Sequence, residues 1–300
     1  MVSRPGWYIV AFHDIAWEEN PWLSGLNITY PPDAFARCVR QLAAAATLVG
    51  IDEGFDRLRT GRLDKPYVSF WFDDGYAGVR RYALPILAQL GVTAGMSINS
   101  RFTSRTEMFW RAKLSWLSSR DGMRFVRARL VRSGLAPGQH VRGAVLDHFS
   151  PALLAEVDAV YRQFTREIDR ADAFRLFDSW RGLQELKDAG WTISNHSAAH
   201  YPLLESTAVA LMGEQFDECE RAIEANLGCR TSFWVAPFDR RGKRAPDYQA
   251  VFDACAADRT LVLVGSQVNQ AWHPGKAISR IGPPPDLGRL LEVFERVPVS

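Results

Sequence analysis

The sequence predicts an α/β domain built on a parallel, barrel-like sheet. Short apolar runs of strand length alternate with segments in which apolar residues recur at helical spacing, and this alternation is the pattern of βαβ units. Of the 300 residues, 47% are hydrophobic and 23% are charged, an ordinary globular composition that excludes a disordered or fibrous protein. The sequence contains no internal repeat that would indicate a solenoid.

The first hundred residues contain three predicted strands, each followed by a helix or a helical signal. Residues 7–12 and 67–72 are short apolar runs rich in strand formers, and 32–48 has apolar residues at helical spacing. A helix over 82–90 is ended by the next glycine, and a strand over 92–98 follows it.

The same alternation resumes in the last third of the chain. Ser179 is placed to cap a helix over 180–189, which leads into a strand over 191–194. The later predicted elements are a long helix ending near Leu227, strands over 233–236 and 260–264, and a helix around 247–256 between them.

Residues 111–178 interrupt this alternation with helical patterns alone. Ser150 and the following proline begin a helix whose apolar residues continue to Ile168 at helical spacing. The arginine-rich segment 120–132 would bind an anionic substrate or form a solvated helix face. We therefore predict one domain over 1–300 with a helical insertion at about 111–178.

Charge and hydropathy narrow the set of partners. Lys and Arg number 36 against 34 acidic residues, a net charge of +2, so the charge does not indicate a nucleic-acid partner. The uncharged apolar runs are far shorter than the roughly 20 residues that cross a bilayer. The first residues have no signal-peptide pattern. We expect a cytoplasmic protein without a membrane span.

Two adjacent acidic residues, Asp73 and Asp74, follow the predicted strand 67–72. At the C-terminal end of a barrel strand they would occupy the region where barrel enzymes hold their catalytic groups. Adjacent like charges in a partly dry site repel each other, and a bound cation keeps both ionised. The alternative is a turn in which one carboxylate caps the next helix.

Two histidines four residues apart, His196 and His200, follow the predicted strand 191–194. They can bind one metal ion if the backbone between them curls into a helical turn, and either could instead be a hydrogen-bonded loop residue. With Asp74 they form a set of two imidazoles and one carboxylate, which leaves coordination positions open for water and substrate. This combination favours a metal centre.

These motifs resemble those of the polysaccharide deacetylase family (carbohydrate esterase family 4, the NodB homology domain), a T-F-D-D-G and an H-[ST]-x-x-H stretch. They correspond here to residues 71–75 and 196–200, and the resemblance extends over the chain outside the insertion. It implies a distorted barrel of seven strands with Asp73 as general base. It also implies that Asp74, His196 and His200 bind a divalent metal, usually Zn²⁺ and alternatively Co²⁺ or Ni²⁺.

The third family motif, R-x-P-Y, is only partly present. Val235 stands where the family has Arg, and Phe238 stands where it has Tyr. The resemblance implies that the Phe238 backbone N–H stabilises the oxyanion, which requires no particular side chain. Arg280 is the candidate to replace the missing guanidinium that orients the base, and the alternative is a surface arginine at a strand end.

Two histidines compete for the role of general acid. The stretch from Ala11 to Ile15 resembles the Y-H-x-I opening of a circularly permuted branch of the family, in which the histidine of the first strand is the acid. A histidine at the C-terminal end of an inner strand also lies at the same rim as Asp73 and His196. We therefore favour His13 over His273, which lies in a Trp-His-Pro loop.

The resemblance implies hydrolysis of an amide C–N bond, most simply N-deacetylation or N-deformylation of an amino sugar in a glycan or glycoconjugate. One alternative is a barrel that has lost catalysis and binds a glycan or a protein partner, since the third motif is incomplete. The other is a metal hydrolase of a non-sugar amide, because the same fold supports many chemistries.

Overall fold

The computed structural model describes residues 4–132, 141–202, 208–238, 252–253 and 258–298. Within these ranges the chain forms one large parallel sheet and one small sheet of two strands. The small sheet contains β2 (Asp14–Ile15) and β3 (Thr29–Tyr30). The strands of the large sheet are β1 (Gly6–Phe12), β4 (Thr47–Leu48), β5 (Pro66–Phe72), β6 (Gly95–Ile98), β7 (Thr192–Asn195), β8 (Phe233–Val235), β9 (Thr260–Leu263) and β10 (Ile278–Ser279).

The large sheet closes into a barrel. Its strands follow the order β1-β5-β6-β7-β8-β9-β10, and β4 pairs with the first half of β5. The ring is completed next to β10, where the Ile281 N–H donates to the Ile9 carbonyl at 2.7 Å and the Ala11 N–H donates to the Ile281 carbonyl at 2.9 Å. A ring of seven parallel strands confirms the predicted distorted (β/α) barrel.

Helices connect the strands, and several of their ends follow the predicted signals. The Ser179 hydroxyl accepts a hydrogen bond from the Gly182 N–H at 3.2 Å, which is the predicted cap. The helices are α1 (Pro32–Ala45), α2 (Ile51–Arg59), α3 (Leu84–Ala88, preceded by a π-helical turn at Val79–Ala83), α4 (Ser100–Thr103), α5 (Trp110–Ser118), α6 (Met123–Arg132), α7 (Val141–Asp147), α8 (Pro151–Phe164), α9 (Glu167–Ala173), α10 (Trp180–Asp188), α11 (Ala208–Leu227) and α12 (Leu290–Arg296).

Some element boundaries differ from those predicted. The helix predicted over 32–48 ends at Ala45, because the residues that follow it become extended and pair with β5 as β4. The strand predicted over 92–98 begins only at Gly95, where pairing with β5 starts. The helix predicted around 247–256 lies almost entirely outside the described residues.

Between β6 and β7 the described chain is helical. The Ser150 hydroxyl caps α8 by accepting a hydrogen bond from the Leu153 N–H at 3.2 Å, and α8 packs against α5 and α6. The sequence predicts an apolar helix face that continues to Ile168. The helix α8 instead ends at Phe164, and Ile168 is 62% exposed. The division of the chain into one domain with an insertion at 111–178 stays a proposal. No helix in the described ranges is both long and apolar enough to cross a membrane.

Candidate metal centre and active site

The C-terminal rim of the barrel collects the polar residues singled out in the sequence. Because the barrel strands are parallel, the residues that follow them meet at one rim. His13 follows β1, Asp73 and Asp74 follow β5, His196 follows β7, and Arg280 follows β10. Asp73, Asp74, His196 and Arg280 are buried, and His13 is partly buried. The rim is therefore a dry, highly polar region above an apolar barrel interior.

Three side chains at this rim converge on one point. The Nε2 atoms of His196 and His200 lie 3.1 Å apart. The Asp74 Oδ1 atom lies 3.3 Å from the His200 Nε2 and 3.6 Å from the His196 Nε2. One ligand atom from each residue lies within 4.8 Å of the others. The structure thus brings together the three residues that the motifs suggest as a metal-binding set.

The two imidazoles are in the state that a metal ion requires. The His196 Nδ1 lies 2.9 Å from the Val235 carbonyl oxygen, so Nδ1 carries the proton and donates, and Nε2 keeps its lone pair. Burial lowers the pKa of His196, and burial together with the neighbouring His196 holds the pKa of His200 well below its usual value. Both rings are therefore neutral at pH 7.

The Asp74 carboxylate fits the same interpretation. Burial, and then the charge of Asp73, raises the pKa of Asp74 to about 7. Its Oδ1 atom is buried and accepts no hydrogen bond from the described residues. A buried acceptor without a donor is costly, and a cation between this oxygen and the two imidazoles would remove that cost. Two imidazoles and one carboxylate are a donor set that suits a divalent transition metal.

Left-handed backbone conformation is concentrated at this site. Eight non-glycine residues in the described part of the chain have positive φ, and four of them lie at the rim. These are Asp74 at 67°, Ser197 at 69°, His200 at 53° and Phe238 at 51°. Non-glycine residues adopt this region at a cost of order 1–3 kcal/mol each, and such strain clusters at functional sites.

Asp73 has two strong hydrogen-bond donors. The Arg280 Nη1 lies 2.6 Å and the Ser97 hydroxyl 2.5 Å from the same oxygen, Oδ1. Burial by itself would raise the pKa of Asp73, but the positive charge of Arg280, with smaller contributions from His196 and His13, outweighs burial and holds this pKa below its usual value. The carboxylate is therefore ionised and fixed in orientation at neutral pH.

The two candidate acids occupy different places. Burial lowers the pKa of His13 to about 4, and the charge of Asp73 partly opposes this shift. His273 is exposed, and its neighbour Trp272 packs against Phe55 of α2 at a ring distance of 5.0 Å. The loop that carries His273 also contacts the beginning of β1 through Asn269, at the opposite end of the barrel from the rim.

The third-motif residues line the metal-binding set. The Phe238 ring packs edge-on against His200 at 4.4 Å and contacts Trp110 at 5.5 Å. Val235, which stands where the family has Arg, supplies the backbone carbonyl that orients His196. The guanidinium next to Asp73 comes from Arg280 instead.

Comparison with known proteins identifies the family. A family model described as polysaccharide deacetylase matches residues 60–252, nearly two thirds of the chain. The chain belongs to the polysaccharide deacetylase family. The family and the enzyme class predicted from the motifs, a hydrolytic deacetylase, are thereby confirmed. No curated protein matches the chain.

Solved structures of deacetylases share the fold. IcaB from Ammonifex degensii aligns with a TM-score of 0.60 at 14% identity and covers 98% of each chain. The deacetylase PplD of Streptococcus pyogenes, solved in complex with acetate, aligns with a TM-score of 0.59 at 14% identity, over 97% of this chain and 99% of that one. At this identity the likeness shows the fold. His13 and Arg280 lie outside the family match, so the circularly permuted branch stays a prediction.

Two further residues of this deacetylase lie at the site without a sequence motif. Ser97 contacts Asp73, and the only sequence signal was its place in a predicted strand. Arg111, at the start of α5, lies with its guanidinium carbon 5.6 Å from the centre of the Phe238 ring, and its charge acts on His13 and Asp74. Neither spacing nor composition indicates that α5 reaches the rim.

Proposed function

We propose that this protein hydrolyses the N-acyl group, acetyl or formyl, of an amino sugar in a glycan or glycoconjugate, with the help of a bound divalent cation. The observation that carries the proposal is the convergence of Asp74, His196 and His200 beside Asp73 at the barrel rim. A cytoplasmic location would favour a biosynthetic intermediate over an exported polymer, and it stays a prediction.

The cation is held by Asp74, His196 and His200 in this proposal, and Zn²⁺ is the expected ion, with Co²⁺ or Ni²⁺ as alternatives. When bound, such a cation polarises the acyl carbonyl and lowers the pKa of water towards ~7. The orientation of His196 by the Val235 carbonyl supports this assignment, because fixed tautomers are typical of metal-binding histidines.

Asp73 is the proposed general base. Its carboxylate accepts the proton of the attacking water, while Arg280 and Ser97 hold it in one orientation. Because its pKa is lowered, Asp73 is a weak base, and it can act only on a water that is itself made acidic. This requirement agrees with a site that combines the base with a cation-binding set.

His13 is the proposed general acid. An amine is a poor leaving group unless its nitrogen is protonated, so a group at the rim must deliver a proton as the C–N bond breaks. The lowered pKa of His13 means that its imidazole is neutral in the resting protein at pH 7. His13 must therefore gain a proton during the reaction, as negative charge develops on the acyl oxygen. The proton that Asp73 removes from the attacking water supplies it, and His13 passes it to the departing nitrogen, so that the protons balance. The Phe238 N–H is the proposed donor to that oxygen.

The test is amine release from N-acetylglucosamine oligomers and from small N-acetyl amides, measured with Zn²⁺ and with a chelator. It is combined with elemental analysis of the wild type and of folded His200→Ala. We expect about one metal ion per wild-type chain, loss of that ion in the variant, and chelator-sensitive release from the sugar substrate. Release from the small amides alone would favour a non-sugar hydrolase. Metal binding without any release would favour a barrel that only binds its ligand.

A further inference from the structure

Two asparagines hold the backbone of the loop that carries both histidines. Asn99 follows β6 and Asn195 ends β7, and both are completely buried. They lie on either side of residues 196–200, and neither is explained by the reaction proposed above. Buried amides need partners, so the groups that they contact indicate what they do.

Asn99 donates twice to this loop. Its Nδ2 lies 2.5 Å from the His196 carbonyl and 3.1 Å from the Ser197 carbonyl. Since both partners are acceptors, only the NH₂ end of the amide can face them. Asn99 also occupies the N-cap position of α4, where asparagine normally accepts from the helix backbone, yet its side chain makes no cap hydrogen bond. Its amide contacts the neighbouring loop instead.

Asn195 holds the loop from the other side. Its Oδ1 accepts from the Ser197 N–H at 3.0 Å. Its Nδ2 donates to the Phe216 carbonyl at 2.9 Å and to the Glu220 carboxylate at 3.2 Å, and both partners belong to α11. The backbone of Ser197 is therefore fixed at its N–H by one asparagine and at its carbonyl by the other.

The loop needs this support because its backbone is strained. Ser197 and His200 have φ of 69° and 53°, in the left-handed region that favours glycine. The Ser197 hydroxyl accepts from the His200 N–H at 3.0 Å, so the conformation of Ser197 determines where His200 lies. Strained residues persist only where the surrounding contacts enforce them.

We propose that Asn99 and Asn195 are positioning residues that keep the two imidazoles in the arrangement that binds the metal. The inference rests on the proposed function, since it assumes that His196 and His200 are ligands. Without the two amides, Ser197 relaxes towards ordinary backbone angles, and the Nε2 atoms of His196 and His200 move apart. Metal affinity then falls although no ligand has been changed.

The test compares Asn99→Ala and Asn99→Leu with the wild type by titrating metal-free protein with Co²⁺, using visible absorption and competition with a chelator. Leu branches at Cγ as Asn does, so it fills the site, although it is larger and lacks the polar atoms of the amide. We expect Kd for Co²⁺ to rise 10–100-fold in both variants, the range typical of residues that orient metal ligands, with altered absorption bands.

Asn269→Ala is the matched control. Asn269 is also buried, and its Nδ2 also donates to two carbonyls, those of Trp7 and Ser279, at 3.1 and 2.8 Å, neither of which belongs to the loop. We expect this variant to lose stability with an unchanged Co²⁺ affinity. Equal affinity in wild type and a folded Asn99 variant would overturn the inference and leave the proposed function standing. An equal loss of Co²⁺ affinity in Asn269→Ala would also overturn the inference. A wild type that binds no Co²⁺ would overturn both.

Discussion

Asp73 and Asp74 are adjacent in the chain, but their surroundings give them opposite properties. Arg280 and Ser97 donate to Asp73 and hold its pKa down, whereas burial and the charge of Asp73 raise the pKa of Asp74 to about 7. Two carboxylates whose environments separate their pKa values are suited to different tasks. Their geometry supports the same division, because Asp74 faces the imidazoles and Asp73 faces the guanidinium.

Asp73→Asn separates catalysis from metal binding. We expect the variant to keep its metal ion and to lose amine-release activity by about 10²–10⁴-fold, the usual contribution of a general base. Elemental analysis and kcat for release from N-acetylglucosamine oligomers measure the two effects. Activity within threefold of the wild type would show that Asp73 is not the base.

His13→Ala tests the proposed acid, with His273→Ala as its control. We expect a severe loss of kcat with metal retained for His13→Ala, because its imidazole lies among the charged groups of the rim. His273 is exposed on a loop at the other end of the barrel, so its replacement should leave kcat unchanged. Loss of metal from His13→Ala would contradict the assignment, as would a kcat defect confined to His273→Ala.

At the scale of the elements, the sequence predicts best where the signal is local. The caps at Ser150 and Ser179 are visible as single residues before a helical pattern, and both form the expected hydrogen bonds. The end of α1 is not visible, because it depends on pairing between β4 and the distant strand β5. Local signals therefore locate the elements and the capped helix starts, and tertiary pairing decides ends such as that of α1.

The contact between α2 and β1 provides a test of packing. A Cβ atom on Gly54 of α2 would overlap the indole of Trp7, which is fully buried and whose Nε1 donates to the Ser69 hydroxyl at 2.8 Å. Because Trp7 cannot move without breaking this bond, we expect Gly54→Ala to lower the free energy of unfolding by about 1–3 kcal/mol. Urea denaturation measures the change.

Gly143→Ala is the control for this effect. Gly143 lies in α7. Apart from its chain neighbours and the backbone of its own helix, no atom of the described residues lies within 4 Å of the position that its Cβ would take. Replacing glycine by alanine inside a helix should therefore stabilise the protein by roughly 0.5–1 kcal/mol. A similar loss of stability in both variants would show that Trp7 does not cause the effect at Gly54.

At the scale of the whole molecule, the barrel concentrates ionisable groups in a region with little water. Placing a charge in such a region is costly, and the imidazoles avoid this cost because they stay neutral. The Asp74 carboxyl instead has its pKa raised from 3.8 to about 7. A carboxyl whose pKa is higher in the native state stabilises that state fully below pH 3.8 and loses this contribution as pH rises through 7. In the metal-free protein, the contribution of Asp74 to the free energy of unfolding therefore decreases as the pH rises.

Asp74→Asn removes this dependence. With chelator present, we expect the wild type to lose stability relative to the variant between pH 4 and 7, by about 1.4 kcal/mol per pH unit. The variant is then the more stable protein at pH 8. Urea denaturation at pH 5, 6.5 and 8 measures the difference. Addition of Zn²⁺ should reverse the order at pH 8, because only the wild type keeps its ligand set. If the free energies of unfolding of wild type and variant differed by the same amount at every pH, the raised pKa of Asp74 would be contradicted.

The sequence by itself determined the family, the barrel and the set of Asp73, Asp74, His196 and His200. These residues lie within short motifs directly after predicted strands, so local spacing and the parallel direction of the strands are enough to bring them to one rim. Only the tertiary structure decided which other residues contact and orient these four side chains. Arg280 is 207 residues from Asp73 in the chain, and the two meet because the barrel closes next to β10. Contacts of this range depend on strand order and register, which no local pattern encodes.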